Sequence, residues 1–151
     1  MLHISISITS RGIGSVRLQS EPPFQNLDKK KSINRLELKA RNQLEEYFKG
    51  DRKIFSLPLD YKKCSHFASS ILKETLQIPY GETRTYSWLA KKSGNPKSFR
   101  AVGQVMRRNP FLLFVPWHRV ISSSGELGGF SSGIINKKAL LYFEEKIVNS
   151  S

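Results

Sequence analysis

The most specific run of residues that could do chemistry in this sequence is Pro116-Trp117-His118-Arg119-Val120. A histidine can move protons in this pH range, whereas an indole ring contributes only an N–H donor. Taken alone, Trp117 is interpreted as a core aromatic residue and His118 as a hydrogen-bonded structural histidine, since these are the commonest roles of such side chains. The segments around the run indicate what kind of ligand it faces.

The charge of the chain indicates the class of that ligand. Its 151 residues include 25 Lys and Arg against 12 Asp and Glu, a formal net charge of +13. Residues 83–125 contain no acidic side chain. Their basic side chains are Arg84, Lys91, Lys92, Lys97, Arg100, Arg107, Arg108 and Arg119. A solvated charged surface usually mixes both signs, so we interpret this stretch as a surface that faces phosphates, and nucleic acid as the partner.

Other classes of protein are excluded by what the sequence lacks. A single cysteine, Cys64, excludes an internal disulfide framework and a cysteine-based zinc ribbon or finger. No stretch approaches the roughly 20 apolar residues of a membrane span, and residues 1–30 have no continuous apolar core of a secretory signal. We therefore expect an intracellular protein of the cytoplasm, nucleoid or nucleus, with no membrane partner.

Residues 1–58 predict a small α/β domain, a small antiparallel sheet plus a helix. The predicted elements are a strand over 4–9, a hairpin turn over 11–14, a returning strand over 15–18, a loop over 21–31 and a helix over 34–48. Isoleucines alternate with polar residues in the first strand, and Gly50 follows the helix as a stop signal. Pro58 marks the predicted domain boundary.

Residues 59–151 predict a mostly helical domain. The predicted helices cover residues 65–77, 85–92, 98–108 and about 136–147. The second and third are joined by the tight turn at 93–96, which is typical of a helix-turn-helix with a recognition helix. The apolar side of the third helix is predicted to consist of Phe99, Val102, Val105 and Met106. The apolar residues 111–115 predict a buried, strand-like run before Pro116.

Several motifs together resemble the O6-alkylguanine-DNA alkyltransferase family over residues 65–145. The matching motifs are IPYGET at 78–83, TY at 85–86, GNP at 94–96, RAVG at 100–103, MRRNP at 106–110, PWHRV at 116–120, SSG at 123–125, GGFS at 128–131, and Lys138, Leu140, Leu141 and Glu144. The resemblance implies that the second domain is a winged-helix-like DNA-binding domain. It is also compatible with the small α/β domain before it.

One departure from the family changes the expected activity. The resemblance places the family's alkyl-accepting cysteine at Trp117, and an indole ring cannot replace a thiolate as nucleophile. Trp at this position is typical of the alkyltransferase-like proteins. That resemblance implies a protein that is not an enzyme. It would bind double-stranded DNA containing O6-alkylguanine by nucleotide flipping and flag the lesion for nucleotide excision repair proteins.

The resemblance also assigns site residues. The expected lesion pocket consists of Tyr86, Asn109, Val115, Pro116, Trp117, Phe130, Ser131 and Gly133. The expected DNA-binding residues are Tyr86, Arg100, Ala101, Gly103, Gln104, Arg107, Arg108 and Arg119. Arg100 is the finger that fills the place of the flipped nucleotide, and Tyr86 promotes its rotation. The family usually has Tyr where Phe130 stands; that hydroxyl serves the leaving base, so its loss is consistent with a protein that performs no transfer.

The remaining expectations concern support and cofactors. His118 and Glu144 match the relay that activates the family's thiolate, and here we expect a structural hydrogen-bond pair. Arg119 is expected to bond to neighbouring turns and to Asn109. Because residues 1–60 contain no cysteine, we expect no metal, and no other cofactor is implied. We expect a monomer.

Two alternatives stay open at this point. The chain could be a full-length O6-alkylguanine-DNA alkyltransferase (a methylated-DNA–protein-cysteine methyltransferase) that lost its acceptor cysteine by substitution. It could also be a helix-turn-helix transcription regulator that prefers one undamaged site. Transfer of a labelled methyl group tests the first alternative, and a comparison of damaged with undamaged duplexes tests the second.

Overall fold

The computed structural model describes residues 3–19, 34–125 and 137–150. The chain divides into two compact units, Met1–Asp60 and Tyr61–Ser151. The division falls two residues beyond Pro58, the predicted boundary. Phe130, Ser131 and Gly133 of the expected pocket, and the predicted loop at 21–31, lie outside the described residues.

The first unit pairs two strands and adds a helix. Strand β1 (His3–Thr9) and strand β2 (Gly12–Gln19) are antiparallel, and the buried Ile6 and Val16 face each other in the register. Helix α1 (Arg35–Phe48) is capped by Asn34, whose side chain accepts from the Leu36 N–H. The helix buries Ala40, Leu44 and Tyr47. The alternating pattern of the strands and the apolar spacing of the helix therefore predicted the correct element types.

The predicted position of the hairpin turn is wrong. The turn occupies Ser10 and Arg11, and β2 has already begun at Gly12, which pairs with Thr9. Thr9 Oγ1 accepts from the Arg11 N–H at 3.1 Å and so helps to close the turn. Gly12 has a φ of 140° and lies close to the backbone of Pro58. A side chain is excluded at this position, because a Cβ would lie 2.4 Å from the Pro58 carbonyl oxygen.

The second unit contains four helices and a minimal sheet among its described residues. Its elements are α2 (His66–Thr75), β3 (Arg84–Thr85), α3 (Tyr86–Lys92), α4 (Phe99–Arg107), a 3₁₀ turn (Trp117–Arg119), β4 (Val120–Ile121) and α5 (Lys137–Asn149). Strands β3 and β4 are parallel. The order confirms the predicted fold class, a small α/β domain followed by a helical domain with a helix-turn-helix. Within the described ranges, no helix has the length and apolar character needed to cross a bilayer.

The helix ends follow their local capping residues. Ser65 caps α2 by accepting from the Ala68 N–H, and Thr85 caps α3 by accepting from the Trp88 N–H. Helix α2 ends at Thr75, earlier than the predicted residue 77. The chain turns there because the Gln77 and Ile78 N–H groups bond to Glu74 and Thr75 rather than continuing the helix.

The predicted apolar side of α4 is partly wrong. Val102 and Met106 are buried, and α4 packs on α2 and α3. Phe99, however, is 46% exposed, and Val105 is half-buried. Phe99 is the first residue of the helix, and helical spacing alone does not show which end of an apolar stripe extends past the elements that cover it.

The strand-like interpretation of residues 111–115 is wrong, although their burial was expected. Phe111, Leu113, Phe114 and Val115 are buried. The segment is a closed turn in which the Val115 N–H donates to the Phe111 carbonyl at 2.9 Å. Leu113 adopts a φ of 71°, in the left-handed region that a leucine enters at a cost of about 1 kcal/mol or more. The continuous apolar run therefore predicted the burial of this segment correctly, but it did not predict its backbone conformation.

Candidate functional site

Trp117 begins the 3₁₀ turn, and its side chain is only 2% exposed. The Trp117 N–H donates to the Val115 carbonyl at 2.8 Å, and the Arg119 N–H donates to the Pro116 carbonyl at 3.0 Å. Val115 and Pro116 are buried beside it. The position expected to hold the acceptor is therefore filled by a packed aromatic ring.

Asn109 holds the segment that leads to this turn. Its Oδ1 accepts from the Phe111 N–H at 2.9 Å, and its Nδ2 donates to the Val115 carbonyl at 3.4 Å. One side chain thus bonds to both ends of the closed turn at 111–115. This geometry explains how the left-handed Leu113 is maintained, since local strain persists only where the surroundings over-determine it.

A buried charge network lies behind the 3₁₀ turn. His118 Nε2 and Glu144 Oε1 are 2.9 Å apart. Arg119 donates to the same carboxylate through Nε at 3.1 Å and through Nη2 at 2.6 Å, in the forked geometry that a guanidinium favours. Its Nη1 donates to the Ile78 carbonyl at 2.9 Å. The network connects the 3₁₀ turn, α5 and the turn that follows α2.

The network sets the protonation of its members. Burial alone raises the pKa of Glu144, but the hydrogen bonds from His118 and Arg119, together with the charge of the guanidinium, lower it to about 2. Burial lowers the pKa of His118, and the charges of Arg119 and Lys137 act in the same direction, against the bond to Glu144. At neutral pH the arrangement is therefore an ionised carboxylate between a guanidinium and a neutral imidazole.

The expected role of Arg119 in DNA binding is contradicted by its position. Its side chain is buried, with a residue exposure of 6%, and its guanidinium is committed to Glu144 and Ile78. These bonds also replace the expected one to Asn109. The sequence analysis assigned Arg119 to the basic surface, because residue type and charge do not show whether a side chain points to solvent or into the core.

Tyr86 and Lys137 bring the start of α3 and the start of α5 together. Lys137 Nζ donates to the Tyr86 hydroxyl at 3.4 Å, and it lies 5.6 Å from the centre of the Tyr86 ring and 5.8 Å from that of Trp117. Burial raises the pKa of Tyr86 and lowers that of Lys137 to about 8. Sequence reasoning missed Lys137, because it stands 51 residues from Tyr86 and no local spacing connects the two.

Helix α4 presents the remaining expected DNA contacts. Arg100, Ala101, Gln104, Arg107 and Arg108 are exposed, and Gly103 is half-buried with open space where a Cβ would stand. The turn between α3 and α4 passes through Gly94, which has a φ of 84°. The Arg100 guanidinium lies 5.9 Å from the centre of the Phe99 ring. The outer face of α4 is thus basic, and one glycine leaves room for close approach.

Comparison with known proteins identifies the family. The sequence model described as "6-O-methylguanine DNA methyltransferase, DNA binding domain" matches residues 66–146, from the start of α2 to near the end of α5. The chain belongs to the 6-O-methylguanine DNA methyltransferase family. Within this family, it is 43% identical over 123 residues to the constitutive methylated-DNA–protein-cysteine methyltransferase of Bacillus subtilis. That match covers 82% of this chain and 73% of the relative.

Other members of the methyltransferase family match nearly the whole chain. The methylated-DNA–protein-cysteine methyltransferase of Methanosarcina barkeri is 39% identical over 146 residues, covering 88% of this chain and 92% of the relative. The crystal structure of Mycobacterium tuberculosis OGT in complex with DNA aligns with a TM-score of 0.78 and 32% identity. It covers 95% of this chain and 87% of that one.

The cysteine of this family member lies outside the matched segment. The names of the Bacillus and Methanosarcina relatives specify transfer to a protein cysteine. In this chain the sole cysteine is Cys64, which precedes the match at 66–146. Cys64 is half-buried in the segment before α2, and its N–H bonds to the Tyr61 carbonyl. Among the described residues, no group of His, Cys, Asp and Glu could hold a metal ion.

Proposed function

We propose that this chain is a non-enzymatic sensor of O6-alkylguanine in double-stranded DNA. It binds the damaged nucleotide in a flipped-out position and marks it for nucleotide excision repair, without moving the alkyl group. The observation that carries this proposal is the buried Trp117 in the PWHRV motif of a segment that contains no cysteine.

The chemistry of Trp117 supports binding without transfer. Alkyl transfer by this family's mechanism needs a thiolate, and the indole nitrogen carries a proton and has no available lone pair. A buried aromatic ring can instead pack against a flipped base or its alkyl group. The site therefore keeps a surface for recognition and has lost the group that reacts.

The intact network behind Trp117 supports a site kept for binding. His118 and Arg119 contact Glu144 at distances of 2.6 to 3.1 Å, and Asn109 closes the turn at 111–115. Breaking such a buried ionic network is strongly destabilising. These residues therefore have a structural reason to remain where no thiolate needs activation.

The surface of α4 supports minor-groove binding and flipping. Exposed arginines provide phosphate contacts, and Gly103 allows the helix to approach the DNA closely. Flipping a nucleotide costs a few kcal/mol, which a side chain inserted into the stack offsets in part. Arg100 suits this insertion, because a planar guanidinium can both stack and donate hydrogen bonds.

A binding competition run beside a transfer assay tests the proposal. Duplexes with one O6-methylguanine are expected to bind more tightly than otherwise identical guanine duplexes, and no labelled methyl group should move to the protein. The chain with Cys64→Ser serves as a control for adventitious transfer to the lone thiol. Stoichiometric transfer to the unmodified chain, or equal binding of both duplexes, would overturn the proposal.

A second candidate is a full-length transferase that lost its acceptor by substitution. It is favoured by the match to nearly the whole length of the Methanosarcina barkeri methyltransferase, 92% of that protein. The two candidates differ in what happens when a cysteine is returned to position 117.

A further inference from the structure

Lys137 is a buried cation beside Trp117, and the proposed function assigns it no role. It is the first residue of α5 and is only 3% exposed. Its ammonium group lies 3.4 Å from the Tyr86 hydroxyl and near the rings of both Tyr86 and Trp117. The charge thus lies beside Tyr86 and Trp117, two residues of the expected lesion pocket.

This cation has no anionic partner among the residues that the structure describes. Glu144, the buried carboxylate of the same unit, pairs with His118 and Arg119 instead. Aromatic rings and one hydroxyl offset only part of the cost of removing an ammonium group from water. That residual cost lowers the pKa of Lys137 to about 8, so at pH 7 most molecules still carry the charge.

Among the described residues, the groups around Lys137 do not cancel its charge. On α3, burial raises the pKa of Tyr86, which therefore stays neutral. On the 3₁₀ turn, burial lowers the pKa of His118, which is neutral at pH 7, and Arg119 is cationic. On α5, the Glu144 carboxylate is already bound by His118, Arg119 and the Gly81 N–H. A carboxylate that entered this site would meet a desolvated positive charge.

We propose that Lys137 makes the site selective for O6-alkylguanines whose alkyl group ends in a carboxylate. The ammonium group would donate a charge-assisted hydrogen bond to the ligand carboxylate and recover the cost of its own burial. The inference rests on the proposed function. The inference adds to the proposed function the chemical class of the preferred lesion and the residue that selects this class.

The test compares two nearly isosteric lesions in otherwise identical duplexes. One carries O6-carboxymethylguanine, and the other carries the neutral O6-carbamoylmethylguanine; O6-methylguanine and guanine duplexes complete the set. At pH 7 we expect the unmodified chain to bind the acid about tenfold more tightly than the amide. Lys137→Met should reduce that ratio to about one. Lys146→Met removes the same charge from an exposed position of α5 and should leave the ratio unchanged.

A pH series on the unmodified chain gives a second measurement that does not depend on the folding of a variant. The ratio of the affinity for the acid duplex to that for the amide duplex should fall between pH 7 and pH 9, as Lys137 loses its proton. The affinity for the amide duplex at each pH serves as the reference for effects of pH on the DNA itself. Equal binding of acid and amide at pH 7, or a preference that survives in Lys137→Met, would overturn the selectivity and leave the sensor function standing. If no O6-alkylguanine binds more tightly than guanine, the sensor function fails and this inference fails with it.

Discussion

At the scale of single residues, the decisive feature is the aromatic side chain of Trp117 inside the motif at 116–120. Trp117 is buried between segments that Asn109, Arg119 and Glu144 hold in place. A cysteine side chain is much smaller than an indole, so the surroundings of Trp117 are shaped to an aromatic ring. A packed aromatic surface therefore stands where the proposed function places the family's acceptor.

Trp117→Cys separates the two candidate functions. We expect little methyl transfer, at most about one hundredth of the rate of an active relative, because the site is packed around an indole and the expected Phe130 supplies no hydroxyl. The measurement is the rate at which label moves from an O6-methylguanine duplex to the protein. Rapid and complete transfer would instead support a transferase that lost only its acceptor.

Glu144→Gln tests the buried network. It should lower the free energy of unfolding at pH 7 by about 3 kcal/mol, because Arg119 loses its buried counter-charge. The measurement is urea unfolding, with Glu145→Gln, an exposed neighbour on α5, as the control. A loss below about 0.5 kcal/mol would contradict the assigned role.

The pH dependence of the same variant follows from the pKa of Glu144. Folding lowers this pKa from 4.5 to about 2, so its contribution to stability is fully present above about pH 5. It is lost as the pH falls toward 2. The difference between the unmodified chain and Glu144→Gln should therefore be largest near neutral pH and shrink below about pH 4. A difference that grew on acidification would contradict the lowered pKa.

At the scale of elements, we expect α4 to make two separable kinds of DNA contact. Arg100 stands in the first turn of the helix, while Arg107 ends it and Arg108 follows. A residue that enters the base stack acts only where a nucleotide leaves it, whereas a phosphate contact acts on any duplex. The two kinds of residue are therefore expected to respond differently to damage.

Arg100→Ala should reduce the ratio of O6-methylguanine to guanine binding by about tenfold. Arg107→Ala and Arg108→Ala should weaken binding to both duplexes by similar factors and leave the ratio unchanged. Fluorescence anisotropy measures the affinities of the unmodified chain and the three variants for both duplexes at one salt concentration. Equal changes in the ratio for the three variants would contradict the finger role of Arg100.

Gly103→Ala separates the stability of α4 from its binding. A Cβ at Gly103 meets no atom within 4 Å, and alanine favours the helix by about 0.5 to 1 kcal/mol over glycine. We therefore expect a higher melting temperature together with weaker DNA binding, since the added methyl group holds the helix away from the duplex. A stabilised variant with unchanged affinity would show that this face of α4 does not approach DNA.

At the scale of the whole molecule, the charge of +13 serves association with any DNA rather than recognition of damage. Affinity for an undamaged duplex should fall about a hundredfold between 50 and 200 mM salt if about four phosphates are contacted. The ratio of damaged to undamaged binding should change much less, because both complexes share these contacts. A salt-independent affinity would contradict the assignment of the basic face.

Much of the fold and part of the site could be predicted from the sequence, because local rules govern them. Alternating isoleucines, helical spacing and capping residues such as Asn34, Ser65 and Thr85 act within a few positions of the chain, and they placed the main helices and strands. The apolar segment at 111–115 was placed in the core by its composition. Its turn could not be predicted, because the bonds of Asn109 decide its conformation.

The sequence by itself determined the family motifs, the excess of positive charge and the absence of a cysteine from the motif at 116–120. These are properties of residue type and order, which folding does not change. Only the tertiary structure decided that Arg119 belongs to a buried network and not to the DNA surface, that Phe99 is exposed, and that Lys137 lies beside Tyr86 and Trp117. The physical reason is that burial and charge pairing depend on contacts between segments far apart in the chain, which no local pattern reports.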